Sequence, residues 1–198
     1  MNDDALHEVE VKLYTPDLTR VKTALEAAGA ALVKPRVFER NVRYDSADGM
    51  LTAGGVVLRL RQDDAARLTF KADERVVDGI SSRFEAEVEV SDFALMGLIL
   101  ERLGYVVALI YEKYRTTYAL AGAEVVLDEL PFGNFTEIEG DAATIERVAG
   151  QLGLAGARRM GGSYVYIFLG LKERLGLMER DCTFEVFAGV DVDLSQVI

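Results

Sequence analysis

The chain has 198 residues, 50% of them hydrophobic and 28% charged, which suits one domain with a full core and excludes a disordered or low-complexity protein. Its formal net charge of −11 makes DNA and RNA poor partners. A single histidine, His7, and a single cysteine, Cys182, leave no material for an internal disulfide or a thiolate-rich zinc site, and a Ser-His-Asp triad is a poor fit.

In chain order, residues 6–14 alternate as a strand, with Glu8, Glu10 and Lys12 on one face and Val9 and Val11 on the other. Asp17 is placed to cap a helix from Leu18 to Ala28, with Gly29 as its stop. Residues 36–45 alternate loosely and run into the turn cluster Asp45-Ser46-Ala47-Asp48-Gly49. A strand follows over 55–62, Asp63-Asp64 begin a hairpin turn, and Arg67–Lys71 form the return strand. Residues 83–90 alternate strictly, Arg83, Glu85, Glu87 and Glu89 against Phe84, Ala86, Val88 and Val90. Ser91 opens a second helix that runs to Leu103 and is closed by Gly104. Strands are expected over 106–120 and 123–129, then a turn at Pro131-Phe132-Gly133-Asn134 and a strand over Phe135–Glu139. Asp141 caps a helix from Ala142 to Leu152, ended by Gly153, and residues 163–175 form a further helix that Ser163 caps. The tail from Arg180 is mixed, with 183–188 as a short strand.

No linker or charge block marks a second domain, so residues 1–176 are read as one unit and 177–198 as its C-terminal extension. No apolar run reaches the roughly 20 residues that a membrane helix needs. The acidic opening Met1-Asn2-Asp3-Asp4 argues against an export or transit signal, and with the lone cysteine it points to the cytoplasm.

About eight strands joined mostly by short hairpins imply an antiparallel sheet in an α+β chain. A one-sided sheet would turn its charged faces to water. A closed barrel would gather them in a wet lumen and leave its apolar outer face for helices to cover. The density of charge favours the barrel. On the alternating face stand the cations Lys12, Arg59, Arg61, Lys71, Arg83, Lys113 and Arg115, and the anions Glu8, Glu10, Glu85, Glu87, Glu89, Asp128, Glu137 and Glu139. Converging cations repel one another and call for an anion, and guanidinium forks suit phosphate oxygens. Paired carboxylates suit Mg²⁺ or Mn²⁺. A phosphate grip beside a hard-metal site fits phosphoryl transfer.

The motifs Glu8-x-Glu10-x-Lys12, Asn41-x-x-Tyr44-Asp45, Leu58-Arg59-Leu60-Arg61, Lys71, Arg83-x-Glu85-x-Glu87, Lys113-x-Arg115, Asp128 and Phe135-x-Glu137-x-Glu139-Gly140 occur in that order. Together they resemble the CYTH superfamily, the triphosphate tunnel metalloenzymes, over roughly residues 6–170. The resemblance implies an eight-stranded antiparallel β-barrel, a tunnel with helices packed on the outside, and a small-molecule triphosphate as the partner. Carried over by position, it implies Glu8, Glu10, Asp128, Glu137 and Glu139 as carboxylates for Mg²⁺ or Mn²⁺. It implies Lys12, Arg59, Arg61, Lys71, Lys113 and Arg115 as phosphate-side cations, with Arg83 a weaker match. Glu87 matches a supporting glutamate that pairs with those cations, and Lys12 and Glu10 are the expected catalytic pair. A homodimer is left open.

Thiamine triphosphatases carry a tyrosine where this chain has Arg43, and the chain lacks Trp; both features count against thiamine triphosphate. A His-Phe pair found in some cyclase-type members is replaced here by Asn2 and Asp3. Hydrolysis of tripolyphosphate or a nucleoside triphosphate is therefore expected ahead of class IV adenylate cyclase activity, with a non-catalytic polyphosphate-binding module as the rival from another class. Several residues have plainer readings: His7 as a strand-face residue, Cys182 as tail packing, Tyr105, Tyr111, Tyr114 and Tyr118 as core, and Arg158-Arg159 as a solvated pair that could instead reach a phosphate at a tunnel mouth.

Overall fold

The computed structural model describes residues 6–190 together with Val192 and Leu194. The Asn2 and Asp3 positions, the acidic opening and most of the last eight residues lie outside the described residues. Eight strands occur: β1 (His7–Tyr14), β2 (Ala31–Ser46), β3 (Val57–Gln62), β4 (Ala66–Val77), β5 (Ile80–Val90), β6 (Tyr105–Leu120), β7 (Ala123–Leu130) and β8 (Gly133–Glu139). They close into a barrel in the order β1-β5-β4-β3-β2-β6-β7-β8, and all neighbours are antiparallel. Closure depends on β1, which pairs with β5 over Val11 back to His7 and with β8 over Glu10 to Tyr14.

Five helices are described, one more than expected: α1 (Leu18–Ala27), the single turn α2 (Met50–Ala53), α3 (Phe93–Arg102), α4 (Ala142–Gln151) and α5 (Tyr164–Leu175). Side-chain caps start four of them. Asp17 accepts from Thr19 N at 3.0 Å, Asp92 from Leu95 N at 2.9 Å, Asp141 from Thr144 N at 3.0 Å and Ser163 from Tyr166 N at 3.2 Å. The cap of α3 is thus Asp92, one residue beyond the expected Ser91, because the carboxylate reaches the third helical amide. β2 is longer than the 36–45 segment, and the tail over 184–189 forms turns where a strand was expected. None of the described helices is long and apolar enough to cross a membrane.

The outward side chains of the barrel are apolar, so they need cover. Val11, Leu13, Val125, Leu127 and Ile138 pack against Val21 and Leu25 of α1 and Ile145 and Val148 of α4. Val42, Tyr44 and Leu60 pack against Leu100 of α3. There the helix comes close enough that a Cβ on Gly97 would stand 2.9 Å from the Tyr44 hydroxyl. Each fully buried apolar side chain contributes about 1.5–3 kcal/mol. Helix α5 does something different. Leu109, Tyr111, Leu130 and Phe135 share the alternating face of Lys113, Asp128 and Glu137, and they pack against Ile167, Phe168 and Leu171. The lumen wall therefore turns from charged to apolar towards one end, and α5 stoppers that end.

Candidate active site

Alternation does the positioning. Lumen positions are even on β1 and β7 and odd on β2, β3, β4, β5, β6 and β8 in the paired segments, so the scattered acids and bases converge. They line a cavity of about 370 Å³ whose wall includes Glu8, Glu10, Lys12, Arg59, Arg61, Lys71, Arg83, Glu87, Lys113, Arg115, Glu137 and Glu139. Of the site residues expected from the sequence, Asp128 alone is not in that wall; it is fully buried behind it.

Three ion-pair groups organise the wall. In the first, Glu8 accepts from Lys71 Nζ at 2.8 Å and from Arg83 Nε at 2.6 Å, while Arg83 also donates to Glu10 at 2.8 Å. Burial pushes the Glu8 carboxyl up, but Lys71 and Arg83 outweigh it and hold the group down at about 2. In the second, Lys12 is bound to Glu137 and stands 3.7 Å from Glu10 and 4.2 Å from the centroid of the Tyr164 ring. Burial alone would favour a neutral amine; Glu10 and Glu137 reverse this and raise the Lys12 pKa. Asp128 completes this group, accepting from Lys113 Nζ at 3.0 Å, Arg115 Nε at 2.7 Å and the Tyr164 hydroxyl at 2.9 Å. In the third, Glu87 accepts from Arg61 at 2.9 Å, from Arg59 at 3.5 Å and from Thr69 at 2.7 Å.

Sequence reasoning passed over several lumen residues. Glu39 is 2% exposed and lies within 4.0 Å of Arg61, Lys113 and Arg115. Against the upward push of burial, Lys113 and the three arginines around it bring its carboxyl down to about 2. Tyr111, expected as core, lines the cavity, and its hydroxyl accepts from Arg59 at 3.4 Å. Tyr164, the first residue of α5, lines the cavity too. Arg43 and Glu124 also lie on lumen positions. The signal for Glu39 and Arg43 was their spacing of four on one strand; the charged Arg40 on the outer face hid it. The other plain readings fare differently. Arg159 pairs with Glu146 at 2.6 Å outside the barrel, and Cys182 is a buried tail residue whose thiol burial pushes up.

The donor set for a metal is oxygen-only. Among the described residues no three His, Cys, Asp or Glu are gathered closely enough to hold an ion. What the rim does supply is a row of carboxylates: Glu10 faces Glu139, and Glu139 faces Glu124, in cross-strand register. Like charges directly opposite are destabilising. Desolvation, with repulsion from Glu8, Glu124 and Glu10, pushes the Glu139 carboxyl up to about 7. A divalent cation would relieve that repulsion, and carboxylate oxygens are what Mg²⁺ or Mn²⁺ takes.

The comparisons with known proteins agree with this geometry. A Methanocaldococcus jannaschii protein, provisionally named an adenylate cyclase, is 28% identical over 70% of this chain and 79% of its own length. A Vibrio parahaemolyticus structure, also provisionally an adenylate cyclase, has the same fold at a TM-score of 0.73, with 23% identity over 82% of this chain and 97% of that one. A Hippeastrum structure, provisionally an adenylyl cyclase and described as revealing a dominant triphosphatase activity, matches at a TM-score of 0.63 and 22% identity, covering 87% of this chain and 97% of that one. The family model of the CYTH domain matches residues 6–152, and the chain belongs to the CYTH family.

Proposed function

We propose that the chain is a divalent-metal-dependent triphosphatase acting on tripolyphosphate or a nucleoside triphosphate. The observation that carries this reading is the convergence of two lysine–arginine sets on one cavity of about 370 Å³ with a carboxylate rim. Arg59, Arg61, Lys113 and Arg115 bind the phosphate oxygens, and Lys71, Arg83 and Lys12 extend the grip towards the rim. Every one of these cations already has a carboxylate within 4.0 Å. The pairs keep the side chains charged and aimed before substrate enters, so little reorganisation remains for the chemical step. Glu8, Glu10 and Glu139 would hold the metal ion, which when bound neutralises phosphate charge. Glu137 and Asp128, bonded to Lys12, Lys113, Arg115 and Tyr164, position those cations, as Glu8 and Glu10 also position Lys71 and Arg83. Catalysis of this kind is mostly positioning and electrostatics.

Cyclisation of ATP to cyclic AMP and pyrophosphate is the second reading, favoured by the name of the 28% identical relative. Product analysis separates the two. Purified protein is incubated with tripolyphosphate or ATP and Mg²⁺ or Mn²⁺, and orthophosphate release is expected. Cyclic AMP with pyrophosphate as the main products would transfer the proposal to the cyclase. Binding without turnover under either metal would leave a polyphosphate-binding module, and Glu10→Ala would then change nothing in catalysis.

A further inference from the structure

The lumen face of β2 carries Glu39, Asn41 and Arg43 at alternate positions. Asn41 lies opposite Arg61 on β3 and Tyr111 on β6; Arg43 lies opposite Arg59 and Leu109. Arg43 therefore stands where the wall passes from charged to apolar, beside the end that α5 closes. Unlike the cations of the proposed grip it is not part of the cavity's own lining, although it shares their lumen-facing parity, and it differs from them in pairing as well. Each of those has a carboxylate oxygen within 4.0 Å, whereas Arg43 has no ion pair among the described residues; its Nε, like those of Arg59 and Arg61, is shut off from solvent without a hydrogen-bond partner. The nearby carboxylate of Asp45 is occupied, accepting from Leu51 N at 2.8 Å and Thr52 N at 3.1 Å. Burial, then repulsion from Arg59 and Arg83, lowers the Arg43 pKa against the opposing pull of Tyr111 and Asp45. Asn41 is fully buried, and neither its Oδ1 nor its Nδ2 has a partner. A cation and an amide left unsatisfied side by side are costly unless something arrives to use them.

We infer that Arg43, backed by Asn41, is an additional anion-contact residue that takes the innermost phosphate of a bound chain. The inference rests on the triphosphate reading above and adds a contact to it. It also assigns a direction: the free end of the chain enters towards α5, and any group carried at its other end stays towards the open mouth.

The test uses sodium tripolyphosphate, titrated calorimetrically with and without magnesium into wild type, Arg43→Gln and Arg43→Lys, with thermal unfolding of each ligand-free protein. Loss of charge-assisted hydrogen bonds should raise the dissociation constant of Arg43→Gln tenfold or more, with Arg43→Lys in between. The ligand-free Arg43→Gln protein should melt higher than wild type, because an unpaired buried charge is gone. A purely structural arginine would give the opposite pair of results, a lower melting temperature with unchanged affinity, and that would overturn the inference. Wild type that binds tripolyphosphate while Arg43→Gln binds within twofold also overturns it, leaving the triphosphate reading in place. Wild type that takes up no tripolyphosphate overturns both.

Discussion

Asp128 offers a quantitative test of how the lumen is held. It is 0% exposed and accepts from Lys113, Arg115 and Tyr164. Asp128→Ala removes the acceptor and leaves two buried cations short of a partner. Breaking a buried pair from one side costs about 3–5 kcal/mol. Here the lower end applies, since Lys113 keeps Glu39 at 3.6 Å and Arg115 keeps both Glu137 and Glu39. For a chain of this length about 1 kcal/mol corresponds to about 2–4 °C, so the melting temperature should fall by about 6–12 °C. The assay is thermal unfolding by circular dichroism at low and high salt. Because the pairs are buried, the loss should persist at high salt. A fall below about 2 °C, or one that salt abolishes, would refute the picture of Asp128 as the hub of a desolvated network.

Three further outcomes follow from the same geometry. Glu8 and Glu39 each drop from 4.5 to about 2, so their stabilisation is complete above pH 4.5 and is lost as pH falls towards 2; acid melts of Glu39→Gln should show a shallower decline over that window than wild type. Glu139 is raised from 4.5 to about 7, the opposite sign, so its destabilisation sets in above pH 4.5 and is complete above pH 7; Glu139→Gln should melt higher than wild type at pH 8, by a margin that shrinks as pH falls from 7 towards 4.5. Tyr164→Phe deletes the hydroxyl that Asp128 accepts but keeps the ring beneath Lys12, and its melting temperature should fall by less than that of Tyr164→Ala, which loses both.

The strict period-two segments announced both the barrel and most of its lining. Glu8-Val9-Glu10-Val11-Lys12 and the run from Arg83 to Glu87 place their charges inside simply because the strands are regular, whereas Glu89, on the same face, is exposed and outside the cavity wall. β2 was harder to read. It contains Pro35 and register shifts between Leu32 and Lys34 and between Lys34 and Val37, and the adjacent polar residues Arg40 and Asn41 break the alternation. That irregularity concealed Glu39 and Arg43. The role of Tyr164 was not readable at all, because it depends on α5 crossing the barrel end to reach a residue 36 positions earlier. The cap of α3 was ambiguous between two adjacent residues that both favour that role, Ser91 and Asp92.

A barrel with its grease outside and its charges within separates two kinds of tolerance. Changes beneath α1, α3 and α4 are judged by volume, methylene by methylene. Changes within the bore are judged by whether the ledger of plus and minus still balances. Evolution can therefore rewrite which anion the bore admits by exchanging one acid or base at a time, while the shell that keeps the strands together is left untouched.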